Sequence, residues 1–168
     1  MTSTIEELEQ EAEITGRVLA RVPEEKLTWK PHPKSMTLGQ LALHTATIPG
    51  SFAAILAADS FQVDPAMLAN PPQPASHREI MDAFQGSVAA GKDFLTGLTT
   101  EKAEAMWQLT VAGKEVMAQP REWIIRGIML NHWYHHRGQL SVYLRLLDVP
   151  VPAIYGGSAD ENPFAPSA

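Results

Sequence analysis

Four long stretches of this sequence repeat apolar residues every three or four positions, and proline-rich segments separate most of them. This period is typical of helices that bury one face, and proline ends such a pattern because it lacks a backbone donor. The predicted helices cover residues 5–22, 37–55, 76–98 and 120 to just beyond 146. Four such helices bury their faces against one another, which predicts an all-α protein, an antiparallel four-helix bundle in a single domain over 1–168.

Two connections and the tail complete this prediction. Residues 62–75 contain four prolines and predict a long crossover connection without helix. Before the last helix the chain alternates and turns at Ala112-Gly113-Lys114, which predicts a small hairpin that pairs 107–111 with 115–118. Residues 149–168 contain four further prolines and predict a strap over the surface.

Residues near the helix ends and one internal proline refine the element boundaries. Thr37 and Ser76 are each followed, three positions later, by a residue that completes a capping box, and they predict the starts of the second and third helices. Pro49 lies inside the second helical pattern, where it removes one donor and crowds the carbonyl of Thr45. We therefore expect a kink or a break in that helix.

Three histidines fall on the predicted apolar faces of two helices. His44 lies on the second helix, and His132 and His136 lie on the fourth, where Gln139 and Leu146 continue the stripe. Residues four apart differ by about 40° around a helix axis, so both rings of the pair project from one face. Three neutral imidazoles bind a divalent transition metal and leave a position open. The alternative is a set of core histidines hydrogen-bonded to carbonyls or carboxylates.

The residues around the histidine pair offer further candidates. His135 lies about 60° from His132 around the helix and is predicted to lie beside the centre or in an interface. Arg137 and Gln139 are candidates to orient a substrate carboxylate or a ligating ring, the alternatives being a solvated arginine and a core-edge glutamine. Trp133 stands where the zincin motif requires a glutamate base, which argues against peptide hydrolysis by that route.

Composition excludes several classes of protein. The chain has no cysteine, so a metal must be held by nitrogen and oxygen. Its net charge of −6 and the absence of a basic stripe argue against a nucleic-acid partner. Polar residues interrupt every apolar stretch before the roughly 18 residues that a membrane span needs. Residues 1–11 are acidic and lack the basic start and apolar run of a secretory signal, which favours the cytoplasm.

Several motifs together resemble a known family. The sequence reads LALH at 41–44 and NHWYHHRGQL at 131–140, and it ends its last helical pattern with LRLL at 144–147 followed by VPVP at 149–152. In these motifs, in the order of the helices and in the hairpin before the last one, the chain resembles the DinB/YfiT-like family of metal-dependent enzymes. The likeness spans nearly the whole chain.

This resemblance implies a four-helix bundle with a three-histidine centre for zinc, nickel or a similar ion, carried over here to His44, His132 and His136. Family members whose chemistry is understood are similar to transferases and isomerases that depend on a thiol cofactor, and others have been regarded as hydrolases. Since this chain has no cysteine, the resemblance implies a low-molecular-weight thiol from outside.

The leading hypothesis is a metal-dependent transferase in which the ion holds that thiol as a thiolate for attack on an electrophile. A hydrolase using metal-bound water is the second hypothesis, and a non-catalytic metal-binding stress protein is the third. We expect a small-molecule substrate as partner. A homodimer through an apolar helix face is also expected, with Phe61, Trp107 or Trp133 contributing.

Overall fold

The protein is built mainly from helices, with one small sheet. The computed structural model describes residues 2–64 and 70–164. The helices are α1 (Thr2–Leu19), a 3₁₀ turn (Glu24–Lys26), α2 (Leu38–Leu56), α3 (His77–Gly97), α4 (Thr100–Glu104), α5 (Arg121–Ile124), a π-helical section (Ile125–Leu130) and α6 (Asn131–Leu146). The strands are β1 (Ser60–Val63), β2 (Met106–Val111) and β3 (Lys114–Pro120). None of the helices in the described ranges has the length and apolar character that crossing a membrane requires.

The predicted helix starts are confirmed by their hydrogen bonds. The Thr37 hydroxyl accepts from the backbone N–H of Gln40 at 3.1 Å, and the Gln40 side chain accepts from the backbone N–H of Thr37 at 2.9 Å. The Ser76 hydroxyl accepts from the N–H of Glu79 at 3.2 Å. These side chains pair donors that the first helical turn leaves without partners, so they set where α2 and α3 begin.

The four long helices pack around one apolar core. α2 contacts both α3 and α6, and α1 contacts the same two helices. α2 and α3 approach closely at Gly50, where an added Cβ would lie 2.9 Å from Cα of Ser87. The antiparallel order of the predicted bundle stays a prediction. Trp107 and Trp133 are fully buried in this core, so the expectation that they contribute to a dimer face is wrong.

The expectation of an all-α protein is wrong, because the structure contains a three-stranded mixed sheet. β2 and β3 form the predicted hairpin, with Trp107 opposite Gln119, and it extends a few residues beyond the predicted bounds. β1 then pairs in parallel with β2, with Ser60 opposite Gln108. Residues 62 and 63, predicted to begin a connection, are thus part of a strand that uses the free edge of the hairpin. Residues 65–69 of the predicted connection lie outside the described ranges.

α2 continues through Pro49, so of the two predicted outcomes the break is wrong and the kink stays a prediction. The lost hydrogen bond is replaced from another element: the indole Nε1 of Trp133 donates to the carbonyl of Thr45 at 2.9 Å. That carbonyl is the one to which an N–H at position 49 would have donated. The helix therefore tolerates the proline because α6 supplies the missing donor.

The buried stripe of the last helix lies one position away from the predicted one. The predicted stripe continues through Gln139 and Leu146, but Gln139 is exposed and Leu146 is 57% exposed. His136 is buried as predicted, and the other buried side chains of this helix are Trp133, Arg137, Leu140 and Leu144. The π-helical section before them has wider turns, which rotate the following residues relative to a continuous α-helix. His132 is consequently only partly buried, whereas His136 lies on the buried face.

The tail, which we call the strap, is described as far as residue 164. Val151 and Ala153 are buried. The carboxylate of Asp160 accepts from the N–H of Val151 at 2.8 Å, and that of Glu161 accepts from the N–H of Ala153 at 3.0 Å. Two acidic side chains thus accept the backbone hydrogen bonds of this segment, which a neighbouring strand would otherwise accept. Residues 165–168 of the predicted strap lie outside the described ranges.

Candidate metal centre

The rings of His44, His132 and His136 meet between α2 and α6. Their centroids lie 5.1 Å apart for His44 and His132, 4.5 Å for His44 and His136, and 4.4 Å for the pair on α6. Each ring offers one nitrogen, and the three nitrogens lie within 4.8 Å of one another. The structure therefore brings together all three histidines that the spacing selected, from positions 88 residues apart in the chain.

This arrangement fits a metal ion. Two nitrogens bound to one zinc ion at tetrahedral angles lie about 3.3 Å apart, given zinc–nitrogen distances of roughly 2.0–2.1 Å. The Nε2 atoms of His44 and His132 are 2.9 Å apart. A shift of a few tenths of an ångström in the side chains adapts this pair to a shared ion. Among the described residues the cluster consists of histidines alone, a donor set suited to zinc, nickel and similar ions.

Gln139 fixes the proton on one of the rings. Its side-chain oxygen lies 2.8 Å from Nδ1 of His136, so Nδ1–H donates to this oxygen. The proton on Nδ1 leaves Nε2 of the same ring with a free lone pair. Hydrogen bonds of this kind orient metal-ligating histidines and raise their basicity. The prediction that Gln139 orients a ligating ring agrees with this contact.

The three rings are neutral at physiological pH. Burial, followed by the charges of His44 and His135, lowers the pKa of His132 to about 4. Burial, followed by the charges of His44 and His132, lowers the pKa of His136 to about 4. Burial also lowers the pKa of His44 below its usual value of 6.5. Because only the neutral imidazole binds a metal, protons compete weakly for these nitrogens at neutral pH.

The alternative, a core histidine hydrogen-bonded to a backbone carbonyl, applies to His77 and not to the three clustered histidines. The ring of His77 donates from Nε2 to the backbone carbonyl of Leu19 at 3.0 Å, which ties the start of α3 to the end of α1. The rings of the cluster instead face one another, and among the described residues their further side-chain hydrogen-bond partner is the amide of Gln139. This difference in partners separates a structural histidine from a candidate ligand.

The bond between Trp133 and the Thr45 carbonyl also positions the centre. Thr45 follows His44 directly, and Trp133 follows His132 directly. The indole bond, 2.9 Å long and fully buried, therefore joins the two helices one residue away from the two rings that meet. The sequence did not predict this contact of Trp133, which was considered only for the zincin motif and for a dimer face. Pro49 was the available signal, since it freed a carbonyl, but the sequence does not show which side chain reaches it.

One side of the centre opens into a cavity of about 410 Å³. Its wall includes His44 and the apolar side chains of Leu43, Phe52 and Phe61. Pro71, from the segment after β1, also lines it. A small molecule in this cavity, which we call the outer cavity, therefore lies against His44, the member of the cluster that lines it. Sequence analysis did not identify these wall residues, because their side chains converge from separate elements.

The other two predicted site residues, His135 and Arg137, lie outside the cluster. His135 is exposed, and its ring lies 5.0 Å from that of His136, outside the cluster of ligating nitrogens. Arg137 is 1% exposed, so the expectation of a solvated arginine is wrong. Its guanidinium donates to the carboxylate of Glu11 at 2.5 Å and to the hydroxyls of Thr15 and Tyr155. These bonds engage Arg137 in holding α1, α6 and the strap together, not in binding substrate.

Comparison with known proteins agrees with this architecture. The chain is 27% identical over 155 residues to the uncharacterized protein YrdA of Bacillus subtilis strain 168, a match that covers 91% of this chain and 86% of YrdA. The crystal structure of a DinB-like protein from Bacillus cereus ATCC 10987 superposes with a TM-score of 0.70 at 22% identity and covers 92% of this chain and 97% of its own. The DinB-like protein YjoA of Bacillus subtilis superposes with a TM-score of 0.67 at 18% identity and covers 90% and 97%. The sequence profile of the DinB family matches residues 1–163, and the chain therefore belongs to the DinB family.

Proposed function

We propose that this protein is a metal-dependent transferase whose second reactant is a low-molecular-weight thiol. His44, His132 and His136 would hold a divalent transition metal, zinc or nickel by the chemistry of their donors. The observation that carries the proposal is the convergence of three neutral imidazoles, one of which, His44, lies on the wall of a cavity. Three protein ligands leave a coordination position for a reactant, whereas structural zinc sites are closed by four.

The chain's own residues support this chemistry in different ways. When bound, the ion supplies positive charge that lowers the pKa of a thiol and favours the thiolate. The side-chain oxygen of Gln139 accepts a hydrogen bond from Nδ1–H of His136. This leaves the lone pair on Nε2 of the same ring free to bind the ion. Leu43 and Phe52 exclude water from the cavity wall, which strengthens electrostatic interactions there. The chain has no cysteine, so the thiol comes from solution.

The partner of His136 favours a transferase over a hydrolase. Metal-dependent hydrolysis uses a general base near the attacking water, commonly a carboxylate. Within the described ranges, the cluster around the three nitrogens contains no carboxylate, and the ring of His136 is paired with an amide. A thiolate needs no such base, because it is the nucleophile once its proton is lost.

The first test is metal content combined with a conjugation assay. Protein purified without chelator should contain about one transition-metal ion per chain by elemental analysis, and His132→Ala should lower this content at least tenfold because a ligand is lost. His135→Ala is the matched control and should keep its metal, since this neighbouring ring lies outside the cluster.

Activity assays on the same preparations then distinguish thiol conjugation from hydrolysis. With glutathione, cysteine or coenzyme A, the wild type should conjugate 1-chloro-2,4-dinitrobenzene, a reaction in which a carbon–sulfur bond replaces the carbon–chlorine bond and chloride leaves. The His132→Ala variant should lose this activity. Metal-loaded protein that hydrolyses p-nitrophenyl acetate and conjugates none of these thiols would contradict the transferase. A chain with no bound metal would contradict the centre itself. The small-molecule partner, the homodimer and the cytoplasmic location stay predictions.

A further inference from the structure

A second cavity of about 200 Å³, which we call the inner cavity, lies behind the first. Its lining comes from α2, α5 and the π-helical section on the one hand and from all three strands of the sheet on the other. Phe61 and Val63 come from β1, Leu109 from β2, and Ile128 from the π-helical section. The sheet, whose strand β1 the sequence did not predict, therefore encloses a space that the helices alone would leave open.

The inner cavity offers water no hydrogen-bond partner among its lining side chains. All of them are apolar except for the indole N–H of Trp107, and that group donates to the carbonyl of Ile55 at 3.3 Å. A buried water needs roughly two to four polar partners to be held. A space of this kind is therefore better filled by an apolar group than by solvent.

The inner cavity is next to the outer cavity and shares part of its wall. Phe52, Ile55 and Phe61 line both cavities. The ring of Phe52 lies 6.1 Å from the ring of His132, and His44 lies on the wall of the outer cavity. An apolar group bound in the inner cavity is therefore separated from the outer cavity and His44 only by side chains such as Phe52.

The size of the inner cavity limits what this apolar part can be. An engineered apolar cavity of about 150 Å³ in another protein stays dry and binds benzene. The inner cavity is somewhat larger, at about 200 Å³. It accommodates one aromatic ring with a short substituent, but a fused polycyclic system exceeds it. No charged side chain lines it to pair with a charged group.

We propose that the inner cavity binds the uncharged, benzene-sized apolar group of the electrophilic substrate. That the bound group belongs to a substrate rests on the proposed transferase. That the cavity binds an apolar group rests on the cavity alone. The preferred electrophiles are then benzyl-type compounds, and analogues that carry a charge on the ring are excluded.

The test uses toluene as the probe, with benzoate as a charged compound of similar size. Isothermal titration of the protein as purified should detect toluene binding, with benzoate at least tenfold weaker. Val63→Trp should weaken toluene binding at least tenfold, because the new side chain fills the space. Gln62→Trp is the matched control, since it adds the same side chain to the exposed face of the same strand. It should bind toluene like the wild type.

A second variant decides the matter if Val63→Trp does not fold. Val63→Ala enlarges the inner cavity without overpacking, and it should strengthen naphthalene binding relative to toluene at least threefold. Folded wild type that binds no toluene, or that binds benzoate equally well, would overturn the proposal. The proposal is also overturned if sedimentation shows a dimer that Val63→Trp dissociates and Gln62→Trp does not, since a second copy would then cover this face.

The outcome is independent of the transferase test. His132→Ala should bind toluene unchanged, because that histidine does not line the inner cavity. A protein that conjugates the thiol normally but binds no toluene would contradict the proposed role of the inner cavity and would leave the transferase proposal intact. If conjugation occurs, Val63→Trp should lower kcat/KM for benzyl bromide at least tenfold while the KM for the thiol stays unchanged.

Discussion

Gln139 sets which nitrogen of His136 faces the centre. Its oxygen holds the proton on Nδ1 at 2.8 Å. Gln139→Leu should lower zinc affinity about 10–100-fold, the usual cost of removing a hydrogen-bond partner from a ligating histidine. Competition with a chromogenic chelator measures this affinity. Gln139→Glu keeps an acceptor and should restore binding.

Gln85→Leu makes the same exchange at an exposed position of α3 and serves as the control. Its zinc affinity should match that of the wild type. Equal affinities for all three variants would show that the hydrogen bond to Gln139 has no effect on metal binding.

The lowered pKa values of His132 and His136 predict how the stability of the metal-free protein depends on pH. Folded, both rings take up protons only near pH 4, whereas in the unfolded chain they do so near 6.5. Between these values the unfolded state binds more protons, so acidification favours unfolding. The stabilisation is complete above about 6.5 and is lost as the pH falls towards about 4.

Urea unfolding of chelator-treated protein, at pH values from about 7.5 down to about 4.5, measures this dependence. The double variant His132→Gln with His136→Gln should lose less stability over the same range, because its side chains do not titrate. Identical pH profiles for the two proteins would contradict the assignment. Added zinc should steepen the wild-type profile, since protons then also displace the metal.

At the scale of elements, Pro49 in α2 and Trp133 in α6 depend on each other. The proline leaves the Thr45 carbonyl without a helical donor, and the indole supplies one at 2.9 Å. Trp133→Phe should destabilise the fold by about 1–3 kcal/mol through the unpaired buried carbonyl, besides the loss of packing. It should also weaken metal binding, because this bond joins α2 and α6 beside His44 and His132.

A double-mutant cycle isolates the hydrogen bond from the packing. Pro49→Ala restores an N–H that can donate to Thr45, so Trp133→Phe should cost about 1 kcal/mol less in that background than in the wild type. Urea midpoints of the four proteins measure the difference. Strict additivity would mean that the two positions do not share this carbonyl.

The helix starts could be predicted from the sequence, whereas the buried face of α6 could not. The capping boxes at Thr37 and Ser76 predict helix starts correctly, because their hydrogen bonds connect neighbours in the chain. The buried face of α6 was predicted one position away, because a π-helical section at Ile125–Leu130 has no marker in a single sequence. This offset moves Arg137 into the core and leaves His132 partly exposed, while His136 stays buried.

At the scale of the whole molecule, Arg137 joins three separate parts of the chain. It lies between the rings of Tyr134 and Tyr155, with its charge centre 5.2 and 5.0 Å from their centroids. Its ionic partner is Glu11, whose side chain is 12% exposed. Removing one member of a buried ion pair costs roughly 3–5 kcal/mol, because the other charge remains buried.

Glu11→Ala should therefore destabilise the protein by about 3 kcal/mol, measured by urea unfolding at neutral pH. Glu13→Ala, at an exposed position of the same helix, should change stability by less than about 0.5 kcal/mol. Similar effects of the two variants would show that the pair does not hold α1 to α6.

The sequence by itself determined what local physics controls. Helical periods, caps and the turn at Ala112 and Gly113 depend on residues a few positions apart, and so does the pairing of His132 with His136 on one face. Only the tertiary structure decided what depends on distant contacts: that β1 joins the hairpin, that His44 meets the pair from 88 residues away, and that Arg137 is buried against Glu11. These arrangements follow from filling one core and pairing every buried polar group, and that balance is set by the whole chain.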